Sequence, residues 1–146
     1  MLIISNRKAS FDYEVLEKYS AGIVLFGYEV KAIKEKNVNF EGAFIQIINN
    51  EPFLVNMNVG RYSKQSQDVP ETEMRRTRKL LLQDYEIGRL EKELAQKGKT
   101  VVPLALHLDH NLIKLELAIV KGRKKYEKRH VEKEKQIKKD MGMQWL

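Results

Sequence analysis

Two stretches of strict alternation mark the second half of the chain. Val102, Leu104, Leu106 and Leu108 are separated by Pro103, Ala105 and His107, and after Asp109-His110-Asn111 the series Ile113, Leu115, Leu117, Ile119 repeats the same period. A period of two puts every second side chain on one face of a strand, so the pattern predicts a hairpin. Nearer the start, Ile23-Val24-Leu25-Phe26 is a short apolar run fenced by Gly22 and Gly27, which reads as a buried strand. The period then changes. Tyr28, Ala32 and Ile33 are apolar, with Glu29, Lys31, Lys34 and Glu35 between and beyond them, so a short helix follows directly on that strand. This order sets Glu29 and Lys31 at the end of a sheet, within reach of a polymeric ligand.

The remaining segments are shorter. Asn6 to Ser10 is a basic, polar start, and Phe11 to Tyr19 is compatible with a strand that has Phe11, Tyr13 and Val15 on one face. Lys36 to Asn39 reads as a loop. Ala43 to Ile48 and Phe53 to Val59 read as two strands around Asn49-Asn50-Glu51-Pro52, where adjacent asparagines tolerate the positive φ of a hairpin turn. Gly60 to Thr72 is polar and aperiodic, an exposed loop. Lys79 to Leu82 is a short strand approached through Arg75, Arg76 and Arg78; Asp84 then opens a helix with Ile87, Leu90 and Leu94 on one face and Lys97-Gly98 as its stop. Six or seven short strands broken by two or three helices make a mainly β fold, a small barrel packed with helices. Strand counting alone leaves a sandwich open.

Beyond Gly122 the pattern fails. Val131, Ile137 and Met141 form no stripe at 3.6-residue spacing, so residues 121–146 have no apolar face with which to dock on a 1–120 domain. We expect a tail that is disordered when free and helical against RNA.

At 146 residues the chain is long enough for one domain that buries roughly two thirds of its unfolded surface. It has no cysteine, so disulfides and thiolate sites are excluded. His107, His110 and His130 lack metal-ligand spacing, and neither a metal nor a cofactor is expected. No apolar run approaches the roughly 18 to 20 residues that span a bilayer, so the expected location is the cytoplasm. The formal charge is +7, and the segment from Lys121 to Leu146 holds ten Lys and Arg against four Asp and Glu, a net +6. A nearly neutral body with a basic arm points to a nucleic-acid partner.

Within the body, Arg75, Arg76, Arg78 and Lys79 put four cations in five positions, read either as a solvated approach to the strand or, more economically, as phosphate contacts. Glu29 and Lys31, taken alone, read as an exposed pair at a helix start. Leu80-Leu81-Leu82 reads as mostly core. Tyr126, Met141, Met143 and Trp145 are costly to expose, and an aromatic among cations suits base stacking. No paired carboxylates, activated serine, phosphate loop or H-E-x-x-H sequence is present, so chemistry by this chain is not expected.

Several strings carry a resemblance. Ala21-Gly-Ile-Val-Leu-x-Gly-x-Glu-Val-Lys31, preceded by Asn6-Arg7-Lys8-Ala9 and Asp12-Tyr13, is followed in order by Arg76-Thr-Arg-Lys-Leu-Leu-Leu82, Glu86-Ile87, Gly98-x-Thr-Val-Val-Pro103 and Lys121-Gly-Arg-Lys-Lys-x-x-Lys-Arg129. Together they resemble the small protein B family, the SsrA-binding proteins of bacterial trans-translation, over nearly the whole chain. The resemblance implies an OB-type barrel that acts, as a monomer, on the tRNA-like part of transfer-messenger RNA (SsrA) and delivers it to stalled ribosomes. It implies an RNA-facing set of Asn6, Lys8, Ser20, Glu29, Lys31, Arg76, Arg78, Lys79, Leu81 and Gln83. It also implies a tail that probes the decoding centre and empty mRNA channel through Lys121, Gly122, Arg123, Lys124, Lys125, Tyr126, Lys128 and Arg129. Ser20 stands where the family commonly has Glu, Gln83 where Asn is frequent, Lys34 where Arg is usual, and Tyr126-Glu127 in place of His-Asp. Two other readings stay open from the residues, a general OB-type RNA binder and an RNA-processing enzyme.

Overall fold

The computed structural model describes residues 1–63 and 71–122. Its longest elements follow from the alternation noted above: β8 (Lys99–Asp109) and β9 (Leu112–Gly122) form an antiparallel hairpin turned by His110 and Asn111, both at positive φ. The matching Asn49 and Asn50, with φ of 51° and 62°, turn β4 (Phe44–Ile48) into β5 (Glu51–Val55). Two consecutive positive φ values suit the right-handed twist of the flanking strands. Glu51 and Pro52 lie within β5 rather than in the turn, and Val59 belongs to a separate two-residue strand, β6 (Asn58–Val59), paired with β3 (Val38–Asn39).

Two elements replace the polar start. β1 (Leu2–Ser5) pairs with β8, and α1 (Arg7–Asp12) is capped by Asn6, whose Oδ1 accepts from the Ala9 N–H. β2 (Tyr13–Ile23) then runs beside β9 for most of its length and pairs with β7 (Arg78–Leu81) through Gly22 with Leu81 and Ile23 with Leu80, the Val24 N–H donating to the Lys79 carbonyl at 3.0 Å just beyond. The expected buried strand at Ile23 to Phe26 is corrected here. The ladder ends at Ile23, Val24 and Phe26 are half exposed, and the chain turns into α2 (Gly27–Lys34). An apolar run between glycines marks a strand end as readily as a strand.

Helix α3 (Glu71–Met74) precedes β7, and α4 (Asp84–Leu94) follows it, buried through Ile87, Leu90 and Glu93. Among the described residues the main sheet is antiparallel and seven-stranded, in the order β1-β8-β9-β2-β7-β5-β4. β4 comes back alongside β8, but no ladder closes the sheet. The fold is therefore mainly β with helices, and open at that seam.

Strand period divides the side chains into two sets. Leu54, Leu80, Leu115, Leu117, Ile119, Val101 and Leu106 point inward with Ala32 and Ile33 of α2 and Leu90 of α4, forming the main core. On the opposite face of the β8 and β9 ladder, Val102, Ala118 and Val120 pack under Ala9 of α1 as a small second core. No described helix is long and apolar enough to cross a membrane.

Candidate nucleic-acid interface

The register of β9, β2 and β7 sets one row of residues on the outer face of the sheet. Glu116 lies opposite Ser20, Lys114 opposite Gly22, and Gly22 opposite Leu81. Lys79 and Leu81 alternate with the inward Arg78 and Leu80, so the strand gives its exposed face to the former pair. Leu81 is 57 % exposed while Leu80 is buried, so within the run read as mostly core the middle leucine lies on the outer face. Lys79 is also exposed and meets Glu51 of β5 at 3.3 Å. Glu116 accepts from Lys18 and lies 2.9 Å from the His107 ring. Burial opposes its ionisation, and those two partners outweigh burial, so its carboxyl is held below the ordinary 4.5.

Gln83 extends the row as the exposed residue before α4, its N–H donating to Glu86 Oε1 at 3.0 Å. Asn6 and Lys8 sit apart, on the α1 side. The Asn6 amide donates to the Pro103 carbonyl at 2.8 Å, and Asn6, Arg7 and Lys8 border a cavity of about 530 Å³ floored by Val38, Phe40 and Val102.

Behind the outer row lies an ion pair that the sequence did not suggest. Glu29 is the third residue of α2 and is 1 % exposed, not at the surface. Its Oε1 accepts from the Phe26 N–H at 2.9 Å and from Arg76 Nη2; its Oε2 accepts from Arg78 Nε at 2.8 Å and is ion-paired with Nη2 at 2.6 Å. Arg78 has no exposed surface. Its other hydrogen bonds go to the carbonyls of Met57 (2.6 Å), Arg76 (3.1 Å) and Met74 (3.0 Å), so each of its three nitrogens has a partner. Arg78 is therefore not a surface phosphate contact, in contrast to the expectation from the cationic run. The exposed cations of that run are Arg75 and Lys79, with Arg76 partly covered. Burial disfavours the charged Glu29, but hydrogen bonds from Arg76 and the Phe26 amide, with the charge of Arg78, hold its carboxyl below 4.5.

Arg76 also sits over the Phe26 ring, its guanidinium carbon 4.3 Å from the centroid, while Phe26 stacks with Tyr28 at 5.7 Å. Lys31, exposed on the same helix, sits 5.1 Å from the centre of the Tyr62 ring. Lys121 and Gly122 close β9 and are exposed. The other tail residues named from the sequence, Arg123, Lys124, Lys125, Tyr126, Lys128 and Arg129, lie outside the described residues. Among the described residues no group of acids and histidines is arranged to hold a metal ion.

Comparison with known proteins fits this geometry. A family model described as SmpB protein matches residues 3–145. The chain belongs to the SmpB family. The SsrA-binding protein of Mycoplasma mobile is 42% identical over 140 residues, which is 96% of this chain and 95% of that protein. The SsrA-binding protein of Fusobacterium nucleatum is 46% identical over 129 residues, covering 88% and 86%. Among solved structures, a chain described under "tmRNA-SmpB: a journey to the center of the bacterial ribosome" superposes with a TM-score of 0.71 at 38% identity, covering 94% of this SmpB chain and 95% of its own.

Proposed function

We propose that this SmpB chain is a trans-translation adaptor, binding the tRNA-like part of transfer-messenger RNA and delivering it to stalled ribosomes. The observation that carries the reading is the family match over nearly the whole chain, supported by a solved relative described together with transfer-messenger RNA and the ribosome. In this reading the open seven-stranded sheet is an OB-type barrel, and residues 1–120 form the RNA-recognition domain. The RNA meets the outer row of Ser20, Lys79, Leu81 and Gln83, together with Lys31 and Arg76, and Asn6 and Lys8 extend the contact along α1. Glu116, directly across the ladder from Ser20, supplies a carboxylate on the face where the family commonly has one at position 20. Glu29 and Arg78 serve this surface from behind, by fixing Arg76 and β7. Such a row reads RNA by shape and backbone more than by sequence.

The basic residues 121–146 act as the ribosome probe, through Lys121, Gly122, Arg123, Lys124, Lys125, Tyr126, Lys128 and Arg129, within the cytoplasm and without enzymatic turnover. The test compares the full chain with one ending at Val120, binding transfer-messenger RNA and bulk tRNA at two salt concentrations, beside a stalled-ribosome tagging assay. Truncation should leave the RNA preference and abolish tagging. Equal affinity for both RNAs would favour a general RNA binder, and metal-dependent RNA turnover a processing enzyme.

A further inference from the structure

Phe26 presents a physical anomaly. It is 51% exposed, although an apolar ring on a soluble surface gains by burial, and Val24, two residues earlier, is also exposed at 47%. The backbone nevertheless holds Phe26 firmly. Its N–H is tied to Glu29, and the guanidinium on its ring is anchored by Glu29 and by the Val24 carbonyl at 3.3 Å. Tyr28 stacks against it, and Lys31, one helical turn on, lies on the same side of α2 as Tyr28. Two rings are thus bracketed by cations along one edge of the molecule. Arg75 and Lys79 add exposed positive charge nearby; Glu73 and the Lys79-paired Glu51 are the acids facing them.

Fixed aromatic surface between cations is the arrangement that holds single-stranded nucleic acid, because each base has a π face and each linkage a negative charge. We infer that Phe26, backed by Arg76 and extended by Tyr28, is a stacking platform for an unpaired base of the bound RNA, with Lys31 and Arg75 reaching the flanking phosphates. The proposal rests on the RNA-binding function proposed above and adds to it a recognition residue. A platform of this kind selects an RNA with a base free to leave its own stack, and rejects a continuous duplex. Arg76 acts as the positioning residue: its guanidinium fixes the ring plane before the RNA arrives, so little side-chain freedom remains to be lost on binding.

The experiment measures affinity of the full-length protein for transfer-messenger RNA across a salt series, for wild type, Phe26→Ala, Phe26→Leu and Phe26→Trp, with thermal melts of each. Stacking predicts that Phe26→Ala and Phe26→Leu both weaken binding about tenfold, roughly 1.4 kcal/mol, with Phe26→Trp at or above wild type. The slope of log K against log salt should stay at its wild-type value, because no phosphate contact is removed. Unchanged affinity of Phe26→Ala overturns the proposal. So does a Phe26→Leu variant that binds like wild type, which would make the residue apolar support for Arg76. A flattened salt slope overturns it too, since the ring would then act only by holding a cation. If Phe26→Ala fails to fold, the Leu and Trp variants decide the question in the same way. Failure of the function proposed above reads differently: wild type itself would then show no preference for transfer-messenger RNA over tRNA.

Discussion

Glu29 and Arg78, 49 residues apart in the chain, meet through a hydrogen bond from Nε and an ion-pair contact of Nη2 on one carboxylate oxygen, in a site closed to solvent. The pair joins the first turn of α2 to the first residue of β7. Removing one member leaves a buried charge without its counter-ion, so Glu29→Ala and Arg78→Met should each cost about 3–5 kcal/mol in urea unfolding. The double variant should cost clearly less than the sum, because neither charge remains. Additive losses would show that the two groups are not coupled.

Acid should weaken the fold through carboxylates whose pKa is lower folded than unfolded. Glu29 and Glu116 both lie below 4.5 in the folded state. Their contribution is fully present above the unfolded value, and is lost as pH falls below it and through the folded value. The urea midpoint should therefore hold on the neutral side and drop on going below about pH 4.5, the ordinary carboxylate range. Glu116→Gln, which replaces the titrating group by a neutral one, should show a shallower drop over the same interval. An equal drop would assign the acid sensitivity elsewhere.

Gly22 leaves room for Leu81. A Cβ added there would come within 3.3 Å of Leu81 Cβ, so the leucine would have to shift by a few tenths of an ångström. The nearest atom is a Cβ that moves only with its backbone, at the last pair of a two-pair ladder, and alanine suits a strand better than glycine by roughly 0.5–1 kcal/mol. Gly22→Ala should thus melt no lower than wild type while binding RNA more weakly. Gly22→Ala added to Leu81→Ala should weaken binding no further than Leu81→Ala alone. A fall in melting temperature would show that the ladder end cannot take up the shift.

Gly60 is a different case. A Cβ there would fall inside the side-chain amide of Asn37, and the Gly60 N–H already donates to the Asn37 carbonyl at 2.9 Å, so the two cannot separate freely. The amide also donates to the Arg61 carbonyl at 2.7 Å. Gly60→Ala should destabilise by about 1–3 kcal/mol, the usual cost of overpacking. Asn37→Ala in the same chain should restore part of that loss. If it restores none, the clash has been relieved by another route.

Much of the fold could be read from the residues. The hairpin of β8 and β9 follows from its alternating apolar positions, but not their single face: the irregularity between Pro103 and Ala105 turns Val102 and Leu104 to the second core while Leu106 and Leu108 meet the main one. The asparagine turn between β4 and β5 follows from two residues that accept positive φ. Helix α4 follows from Ile87, Leu90 and Leu94. What could not be read depends on partners distant in sequence. Leu2 to Ser5 is too short to signal a strand until β8 supplies its ladder, and α1 depends on the Asn6 cap and a patch of sheet for Ala9 to cover. The outer row was accessible in part, since Lys79 and Leu81 share a strand parity. The inward turn of Arg78 has the opposite parity, but an arginine in a core becomes credible only when the carboxylate that neutralises it is known. Glu29 gave no such signal, because an acid at a helix start is ordinarily solvated.

One strand of the sheet is held by short ladders together with a buried side chain. β7 is joined to β2 by two residue pairs and to β5 by two more, the shortest ladders in the seven-stranded sheet, whereas β8 and β9 share ten. It is a narrow slat between two wider panels, and Arg78, bonded to Glu29, Met57, Arg76 and Met74, acts as its dowel. Lys79 and Leu81 ride on that slat while Ser20 and Glu116 ride on the panel beside it. The spacing between these two groups on the outer face is therefore set by a buried side chain as much as by backbone ladders, so a change at Arg78 or Glu29 would be felt on a surface that neither residue reaches.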